Sequence, residues 1–587
     1  MKKDIQSFAD LYYEIRELPE NTTFVHHRES DQWKTYSKTE FLTAIRYLTL
    51  AFEAEGWQGR QIAIAIAPSV YWLMIDYALM LSGAVSVPLF TNISTKNLRF
   101  QIDDAELLTV FTQTESHERI ILEADPTITC IDIDTTDPDR RSLDTFIRAG
   151  QEIDQKSPAK FDRILSGITP DDLVTIVYTS GTSGLPKGVE LTHFNLISQV
   201  IDTAIKYRFD PKTDIALSLL PLAHIFERMV MHFYLSTGMS IYFADDVKNI
   251  GNLMRSVRPT VMTVVPRLLE KVWFKMHDKA MQSGLLKKLI AMTAFHRARC
   301  KDPDRHKTRL DTLMDTLVYS KLREAMGGRI RMLISGGAPL SDDLYRFFLN
   351  IGIPLFQGYG LTEASPVICA NAPGENKVGT CGRHFAHTET KIDGNGELLA
   401  RGPGIMKGYH NNPQATRETI DSDGWLHTGD LATMDDEGYI TITGRIKELS
   451  KTSTGEYIST NYIEHLLMAS GWFDHVLTVG DNRPFVVALL MMDENVVHGL
   501  MKKHGFLDVQ EAIHSSRFQK KVHHLIARIN KKLNHWEKIR GFHLVTESLS
   551  IENGDLTPSM KLAREHIQKR FKEEIENMYG GREQMTI

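Results

Sequence analysis

Short runs of β-branched and apolar residues alternate with helical patterns over the first two-thirds of the chain. QIAIAIA (61–67) and AVSVPL (84–89) have the composition of strands, and an apolar stretch of helical length separates them. Further buried strands are predicted at TVFTQ (109–113), DLVTIVYTS (172–180), VMTVVP (261–266) and RMLISGG (331–337). Strands that alternate with helices indicate a mostly parallel sheet with helical crossovers.

From about residue 385 the pattern changes to short strands joined by turns rich in glycine and aspartate, as in TETKIDGNGELLARGPG and TMDDEGYITITGR. This pattern of short strands and turns predicts a small β-rich subdomain. After GRIKEL (444–449), a final segment contains strands such as HVLTVGD and FVVALLMMD and a long helix around residues 516–536. We therefore place the main domain boundary near residue 445.

Composition limits the classes of function. The length of 587 residues predicts several domains, and 42% hydrophobic with 24% charged residues is ordinary for a protein with a large core. The formal net charge of -6 argues against a nucleic-acid binder held by bulk charge. The four cysteines lack Cys-x-x-Cys spacing and are typical of reduced thiols in a cytoplasmic protein; they are Cys130, Cys300, Cys369 and Cys381.

The sequence predicts neither a signal peptide nor a membrane span. The N-terminal MKKDIQSFADLYYEIREL has acidic residues where a signal peptide needs an apolar core, so we predict a cytoplasmic location. The most apolar stretch, residues 71–90, is interrupted by Asp76, Ser82, Gly83 and Pro88. A spanning helix needs about 20 predominantly apolar residues. This stretch therefore predicts a buried helix that leads into a buried strand.

One loop rich in glycine and hydroxyl residues, YTSGTSGLPKGVELTH (178–193), suits phosphate groups. Glycines can adopt positive φ and bring N–H groups close to a ligand, hydroxyls donate to phosphate oxygens, and Lys187 adds a mobile positive charge. The P-loop signature requires G-x-x-x-x-G-K-[ST], whereas here Pro186 precedes the lysine and Gly188 follows it. The loop therefore indicates a different class of nucleotide enzyme.

Five motifs identify that class, in the order YTSGTSGLPKG, GYGLTE (358–363), GWLHTGD (424–430), GRIKE (444–448) and a late lysine in LTPSMKLAR. Together they resemble the adenylate-forming superfamily of acyl-CoA synthetases, adenylation domains and beetle luciferases, and the resemblance covers nearly the whole chain. Three further stretches are similar to the long-chain fatty acyl-CoA synthetases, namely LPLAHIFER (220–228), VPRLLEKV (265–272) and the helical insertion that leads to LREAMGGRIRMLISGGAPLSDDL (322–344). GEYIS (455–459) is also similar to that subfamily.

The resemblance implies an α/β fold with a large N-terminal domain, residues 1–444, of two mostly parallel β/α subdomains plus a small β-rich subdomain. A mobile α+β C-terminal domain, residues 445–587, follows a hinge near 445–448. The implied enzyme is a ligase that uses ATP and Mg²⁺ to convert a fatty acid to acyl-AMP, and then transfers the acyl group to coenzyme A. The expected partners are therefore these small molecules and not nucleic acid.

The resemblance also assigns residues of the N-terminal domain. The loop that would hold the departing β- and γ-phosphates contributes Thr179, Ser180, Gly181, Thr182, Ser183, Gly184 and Lys187. Small residues after a strand would leave room for the adenine base, namely Gly336, Gly337 and Ala338. Tyr359 would stack on the base beside Gly360, and Thr362 would donate to the α-phosphate. Glu363 would ligate Mg²⁺, and His224 would position the carboxylate at the entrance of the acyl site.

The C-terminal third supplies five further assignments by resemblance. Asp430 would accept hydrogen bonds from both ribose hydroxyls, and Arg445 would contact ribose or phosphate. Lys561 would bridge the acyl carboxylate and the α-phosphate during adenylation. Lys447 falls at the hinge position, and Lys451 lies on the loop that would face the coenzyme A tunnel.

The chain departs from the family pattern in two places. VGTCGRHFAHTE (378–389) stands where a proline-rich turn is common, and KTSTGEYIST (451–460) has Thr454 and Thr460 where glycine and proline are more usual. Two other functions stay open. One is an acyl-adenylate enzyme that uses acyl carrier protein as acceptor, or a shorter or aromatic acid as substrate. The other, a non-catalytic fatty-acid-binding protein of the same fold, is disfavoured because the charged motif residues are all present.

A basic amphipathic helix raises the question of membrane association. In FQKKVHHLIARINKKLNHWEKIRGF, apolar residues recur at helical spacing opposite a basic side. Such a helix can lie on a membrane surface, but packing on the sheet of the small domain is the favoured interpretation. Loose peripheral association with the inner face of a membrane is compatible with a fatty-acid substrate. The sequence predicts no oligomeric state.

Overall fold

Two large sheets of mostly parallel strands organise the computed structural model of the chain. The structure describes residues 5–580 apart from 30–31, 136, 138–139, 180–185, 245–248, 447–448, 454–455, 469, 494–495, 498–500, 502–505, 507, 548 and 558–559. The chain divides into two compact units. The first comprises Met1–Lys391, Leu399–Thr428 and Met434–Thr441, and the second Ile392–Leu398, Gly429–Thr433 and Ile442–Ile587.

The first unit contains a nine-stranded sheet whose central strands are parallel. Antiparallel strands extend it at both edges. In sheet order its strands are β15 (Arg383–His384), β14 (Val367–Ala370), β13 (Leu355–Gly360), β12 (Met332–Ser335), β11 (Val261–Val264), β9 (Ile215–Ser218), β10 (Ser240–Phe243), β1 (Val25–Glu29) and β2 (Gln32–Tyr36).

A seven-stranded sheet in the same unit combines a parallel part with an antiparallel edge. In sheet order its strands are β18 (Gly408–Tyr409), β8 (Lys187–Thr192), β7 (Leu173–Thr179), β4 (Val85–Pro88), β3 (Gln61–Ala65), β5 (Thr109–Thr112) and β6 (Thr129–Asp132). The predicted strands of the first two-thirds of the chain therefore lie in these two sheets, with ends that agree or differ by one or two residues.

Three smaller sheets follow along the chain. A four-stranded sheet has the order β16 (Glu389–Ile392), β17 (Glu397–Arg401), β19 (Leu426–Met434) and β20 (Ile440–Arg445). In the second unit, β21 (Leu449–Lys451) pairs with β22 (Tyr457–Ser459). A three-stranded sheet there contains β23 (Phe473–Val479), β24 (Val486–Met492) and β25 (Ile539–Val545).

Helices connect and cover the sheets. Those of the first unit are α1 (Phe8–Glu17), α2 (Lys38–Ala54), α3 (Val70–Leu81), α4 (Thr95–Asp104), α5 (Glu115–Ala124), α6 (Leu143–Lys156), α7 (Lys160–Ser166), α8 (His193–Lys206), α9 (Ile225–Thr237), α10 (Ile250–Val257), α11 (Pro266–Met281), α12 (Leu285–Cys300), α13 (Arg309–Met314), α14 (Ser320–Ala325), α15 (Asp342–Asn350) and α16 (Pro413–Thr419). Those of the second unit are α17 (Thr460–Met468), α18 (Val509–His514), α19 (Ser516–Asn530), α20 (Arg564–Arg570) and α21 (Lys572–Tyr579). A π-helical turn, Asp315–Tyr319, joins α13 to α14.

The apolar stretch at 71–90 forms a buried helix and a buried strand, as predicted. Helix α3 begins after Ser69, whose side chain accepts a hydrogen bond from the amide of Trp72. Its side chains are buried around nearly the whole circumference, which is expected of a helix that is apolar on all sides. In the described part of the chain, no helix is both long and apolar enough to span a bilayer.

The basic amphipathic helix packs on the core of the second unit. Its apolar side chains Val522, Leu525, Ile526 and Ile529 are buried. The helix ends at Asn530, earlier than predicted, because the Asn530 side chain exchanges two hydrogen bonds with the main chain of Ile539. The structure therefore supports the prediction that this helix packs on the small domain. The predicted α/β fold class is also confirmed by this arrangement of sheets and helices.

Candidate active site

The carboxyl ends of four parallel strands form one edge of the nine-stranded sheet. Strands β9, β11, β12 and β13 are neighbours with parallel pairing, so the residues that follow them lie along the same edge. Gly336 follows β12, Tyr359 lies near the end of β13, and His224 lies in the connection from β9 to α9. Ligands of open α/β sheets bind at this kind of edge. The predicted adenine and acyl residues of the first unit are therefore gathered on it.

The glycine turn after β12 leaves little room for side chains. The amide of Gly336 donates to the carbonyl oxygen of Val264 at 3.2 Å, and a Cβ at this position would lie 3.2 Å from two ring atoms of Phe226. Gly337 has φ of +78°, which favours glycine. Gly337 and the following Ala338 are exposed. The turn therefore exposes main chain at this edge of the sheet, as the predicted adenine site requires.

A second tight turn places Thr362 and Glu363. A Cβ on Gly360 would lie 1.8 Å from the carbonyl oxygen of Pro366, so only glycine fits there. The amide of Leu361 donates to that same oxygen at 2.9 Å. The chain then forms a short 3₁₀ turn, Thr362–Ala364, in which Thr362 and Glu363 are half-buried. Tyr359, just before the turn, is also half-buried.

Tyr409 connects two residues of the predicted phosphate and metal sites. Its hydroxyl donates to Oε1 of Glu363 at 2.8 Å, and Nζ of Lys187 lies 4.5 Å from the centre of its ring. Burial and the neighbouring Glu363 raise the pKa of the Tyr409 hydroxyl well above its ordinary value, so it stays a donor. Sequence reasoning missed Tyr409. The only signal was an aromatic residue in the glycine-rich stretch GPGIMKGYH.

The base of the phosphate loop is a β-hairpin stem. Thr179 ends β7, Lys187 begins β8, and the two residues are paired across the ladder. The hydroxyl of Thr179 faces the carbonyl oxygen of Lys187 at 3.5 Å. The other predicted loop residues lie outside the described residues; they are Ser180, Gly181, Thr182, Ser183 and Gly184.

The Glu363 carboxylate fits a Mg²⁺ that is held mainly by substrate phosphates. Mg²⁺ prefers oxygen ligands and binds through one or two carboxylates together with phosphates and water. Among the described residues, no group of three or more His, Cys, Asp or Glu side chains forms a metal-binding cluster. The Glu363 carboxylate, which accepts from Tyr409, is therefore suited to the metal of a metal–nucleotide complex, and the ring of the same tyrosine contacts Lys187.

His224 lies at the start of α9, and Glu227 fixes this end of the helix from one side. The His224 ring packs edge-to-face on Phe90 with 4.8 Å between ring centres. The fully buried Glu227 accepts a hydrogen bond from Ser218 at 2.6 Å on β9 and another from Thr263 on β11. Burial raises the pKa of Glu227 to about 7.

Arg228 fixes α9 from the other side. It makes two hydrogen bonds to Asp76 on α3, at 2.6 and 2.9 Å, and one to Thr175 on β7 at 2.7 Å. Both charged side chains are fully buried. A buried pair of this kind is stable only when it is fully hydrogen-bonded, and Ser86 adds a donor to Asp76 at 2.7 Å. Helix α9 is thus held between the two large sheets. The sequence analysis did not predict these contacts of Arg228. The signal for them was the presence of two charged residues, Asp76 and Arg228, within apolar runs.

In the second unit, Asp430 and Arg445 form an ion pair. Nε of Arg445 lies 2.8 Å from Oδ1 of Asp430. The Asp430 side chain is 4% exposed, whereas that of Arg445 is 53% exposed. The aspartate is therefore oriented by the arginine. The two residues predicted to contact the ribose or its phosphate are adjacent in the structure.

Lys561 lies on the surface of the second unit. Its main chain closes a turn with Thr557, since the Thr557 amide donates to the Lys561 carbonyl at 2.7 Å and the Thr557 hydroxyl accepts from the Lys561 amide at 3.1 Å. Helix α20 follows shortly after this turn. Lys451 ends β21, opposite Tyr457. Lys447 lies outside the described residues.

A sheet edge with glycine turns, and a carboxylate and a lysine that both contact one tyrosine, is the arrangement expected of a nucleotide-binding α/β enzyme. Residues 13–410 match the family model described as "AMP-binding enzyme", and residues 449–583 match the model described as "AMP-binding enzyme C-terminal domain". The chain therefore belongs to the AMP-binding enzyme family.

Curated relatives are similar over most of the chain. A protein of Mycobacterium bovis named "Long-chain-fatty-acid--CoA ligase FadD15" is 31% identical over 560 residues, which covers 93% of each chain. The human "Long-chain-fatty-acid--CoA ligase 6" is 28% identical over 541 residues, which covers 87% of this chain and 77% of the human one.

Solved structures share the fold. The adenylation domain of a carboxylic acid reductase from Segniliparus rugosus, in complex with AMP and a carboxylic acid, has a TM-score of 0.74 at 19% identity, covering 99% of this chain and 95% of that chain. The O-succinylbenzoate coenzyme A synthetase of Bacillus subtilis, in complex with ATP and a magnesium ion, has a TM-score of 0.65 at 20% identity, covering 94% of this chain and 98% of that chain.

Proposed function

We propose that this chain is an ATP-dependent long-chain fatty acid–CoA ligase. The observation that carries the proposal is the cluster of Lys187, Tyr409 and Glu363 beside the glycine turns of the sheet edge, which suits a metal-bound nucleotide triphosphate. The named function of the relatives, which match over nearly the full length, supports the substrate class. The expected products are acyl-CoA, AMP and pyrophosphate.

In the first half-reaction, a carboxylate oxygen of the fatty acid attacks the α-phosphorus of ATP. The bond from that phosphorus to the bridging oxygen of pyrophosphate breaks, and pyrophosphate carries away the electron pair. Thr362 would donate to the α-phosphate, and Lys187 with the loop after Thr179 would hold the departing phosphates. Fixed donors of this kind lower the barrier because they stabilise charge where it develops. A Mg²⁺ ion on Glu363 would neutralise part of the phosphate charge.

The nucleotide and the acid would be held by separate parts of the chain. The Gly336–Ala338 turn and Tyr359 would enclose the adenine base. The Asp430 carboxylate, which Arg445 orients, would accept hydrogen bonds from the ribose hydroxyls. His224, at the fixed end of α9, would position the fatty-acid carboxylate. Lys561 would bridge that carboxylate and the α-phosphate, and this role requires the C-terminal domain to approach the nucleotide.

In the second half-reaction, the thiolate of coenzyme A attacks the acyl carbon, and AMP leaves with the electrons of the acyl–oxygen bond. We propose that the C-terminal domain, residues 445–587, rotates about a hinge near residues 445–448 and withdraws Lys561. Lys451, at the end of β21, would then face the coenzyme A channel. A few residues at such a boundary absorb the large φ/ψ changes of a domain rotation.

A coupled pyrophosphate-release assay over a panel of carboxylic acids tests the proposed function. Coenzyme A and acyl carrier protein are offered separately, and the thioester product is identified by mass spectrometry. We expect release with long-chain fatty acids and thioester formation with coenzyme A. Release with aromatic or short acids alone, or thioester on the carrier protein alone, would support the alternative enzymes. Fatty-acid binding without pyrophosphate release would support the non-catalytic alternative.

A further inference from the structure

The hairpin formed by α11 and α12 is firmly attached to the first unit by one side. Ala291, Ala294, Phe295 and Ala298 line the buried face of α12. The Phe295 ring packs on Phe347 of α15 with 5.3 Å between ring centres. Close to the open end of the hairpin, Arg299 pairs with Asp343 at 2.9 Å. The inner face of the hairpin is therefore part of the core, and its orientation on the unit is fixed.

The opposite face of α12 exposes large apolar side chains. Leu285 is 89% exposed, Leu286 73%, Leu289 64% and Met292 48%. They occupy the tip of the hairpin and the first two turns of α12, at spacings that place them on the side of the helix away from the buried alanines. Single exposed apolar residues are common on protein surfaces, but a group of four on one helix face marks an interaction site.

The same hairpin is strongly basic. Residues 266–300 contain eight lysines and arginines and only two acidic residues, although the whole chain has a net charge of -6. Lys271, Lys275 and Lys279 follow one another at four-residue intervals along α11 and are exposed, and Lys287 is exposed at the tip. Among the ion pairs of the described residues, none contains these four lysines. Their charges are therefore directed to solvent.

We propose that the tip of this hairpin docks on the surface of an anionic lipid bilayer. We define the docking tip as Lys275, Lys279, Leu285, Leu286, Lys287 and Leu289. Exposed leucines flanked by lysines have the chemistry of an interfacial helix, whose apolar side chains enter the acyl boundary while the cations remain at the headgroups. The lysines are attracted to the negative surface potential of anionic lipids.

The positive charge of the docking tip favours an anionic bilayer, and not a second copy of the chain, as its partner. In a two-fold dimer the same surface faces itself, so a dimer through the docking tip would bring its lysines against one another. Like charges at short range oppose such a contact, whereas an anionic membrane complements them. The basic helix α19 offers no such surface, because its apolar face is buried in the core of the second unit. The proposal does not depend on the proposed function and is tested without ATP or fatty acid.

Vesicle co-sedimentation of the full chain tests the docking tip. Wild-type protein is mixed with phosphatidylcholine vesicles, or with vesicles in which about one-third of the lipid is phosphatidylglycerol. We expect binding to the anionic vesicles that weakens as salt is added, since screening reduces the lysine contribution. Leu285→Ser with Leu286→Ser should lower the partition coefficient at least about tenfold, because two leucines no longer leave water. Lys275→Glu with Lys279→Glu should lower the partition coefficient on anionic vesicles about tenfold or more, because the reversed charges are repelled by the anionic headgroups.

Matched controls separate the docking tip from general surface effects. Leu108, in the connection before β5, is 60% exposed and Ile205 on α8 is 57% exposed, so Leu108→Ser with Ile205→Ser removes comparable apolar surface elsewhere. Lys520→Glu with Lys521→Glu makes the same charge change on α19. Both control variants should bind anionic vesicles as the wild type does. Circular dichroism and thermal melting identify any variant that fails to fold.

Three outcomes would overturn the proposal. The first is wild-type protein that stays in the supernatant with both kinds of vesicle. The second is Leu285→Ser with Leu286→Ser binding as strongly as wild type while the protein is folded. The third is a wild-type dimer, seen by sedimentation velocity, that this same variant dissociates without any change in vesicle binding. That last result would assign the surface to a second copy of the chain.

Discussion

The hydroxyl of Tyr409 donates a hydrogen bond to Oε1 of Glu363 at 2.8 Å, although 46 residues separate them in sequence. The same tyrosine presents its ring to Nζ of Lys187 at 4.5 Å. One side chain thus fixes the position of a carboxylate suited to Mg²⁺ and of a lysine suited to phosphate. We infer that Tyr409 is a positioning residue for the metal–nucleotide complex, acting through these two groups.

Tyr409→Phe should raise the Mg²⁺ concentration that half-saturates pyrophosphate release by about tenfold. The variant keeps the ring near Lys187 but removes a hydrogen bond to a charged group, which contributes about 1.5–3 kcal/mol. The measurement is the initial rate of pyrophosphate release over a Mg²⁺ series at saturating fatty acid.

Tyr439→Phe is the matched control, because the Tyr439 ring also lies near cations, with Lys377 at 5.0 Å and Arg383 at 4.6 Å. Glu363→Gln, which removes the charge itself, should raise the Mg²⁺ requirement further and alter chain-length preference little. If Tyr409→Phe has the wild-type Mg²⁺ dependence, Tyr409 has no positioning role.

Lys561→Ala should lose most ATP-dependent adenylation yet still convert supplied acyl-AMP and coenzyme A to the thioester. Its charge is needed where negative charge develops on the α-phosphate and not for attack by the thiol. The two half-reactions are measured separately on the same preparation. Lys569→Ala, a change of an exposed lysine on α20, should leave both unchanged. An equal loss in both half-reactions would show that Lys561 has a different role.

Lys447→Pro should impair thioester formation and spare adenylation, which is the reverse of the effect expected for Lys561→Ala. Proline fixes φ near about -65° and biases Ile446 away from the helical region, so a hinge at this position turns less freely. Pyrophosphate release with hydroxylamine as the acyl trap should persist. Thioester formation from supplied acyl-AMP should fall by orders of magnitude. A near wild-type rate of thioester formation would place the hinge elsewhere or exclude alternation of the domains.

Glu227→Gln should remove a pH-dependent loss of stability. Because burial raises the pKa of Glu227 from 4.5 to about 7, the folded chain binds its proton more tightly than the unfolded chain does. The stabilising contribution of that proton is complete below pH 4.5 and is lost as the pH rises through about 7. Over this interval the free energy of unfolding of the wild type should fall by up to about 3 kcal/mol more than that of the variant.

Urea denaturation at a series of pH values measures this difference. Glu324→Gln, at an exposed position on α14, is the control and should follow the wild-type profile. Parallel profiles for wild type and Glu227→Gln would mean that the buried carboxyl does not titrate in this interval.

The sequence predicted the elements of the sheets well because their periodicity is local. Buried parallel strands such as β11 and β12 are near-continuous apolar runs, and the glycine turns after them follow directly in sequence. The contacts of Tyr409, and of Arg228 with Asp76, join distant segments, so no local pattern indicates them. The exposed Leu285 and Leu286 could not be distinguished from core leucines, because apolar spacing on a helix does not say whether a partner covers it.

Transfer of a heavy oxygen isotope from the fatty acid tests the central claim most directly. A long-chain fatty acid labelled in both carboxyl oxygens is incubated with the full chain, ATP, Mg²⁺ and coenzyme A, and the nucleotide products are analysed by mass spectrometry. If the carboxylate oxygen attacks the α-phosphorus, each AMP released carries one labelled oxygen, and the acyl-CoA retains the other. Unlabelled AMP, or ADP with label in inorganic phosphate, would contradict adenylate formation by this chain.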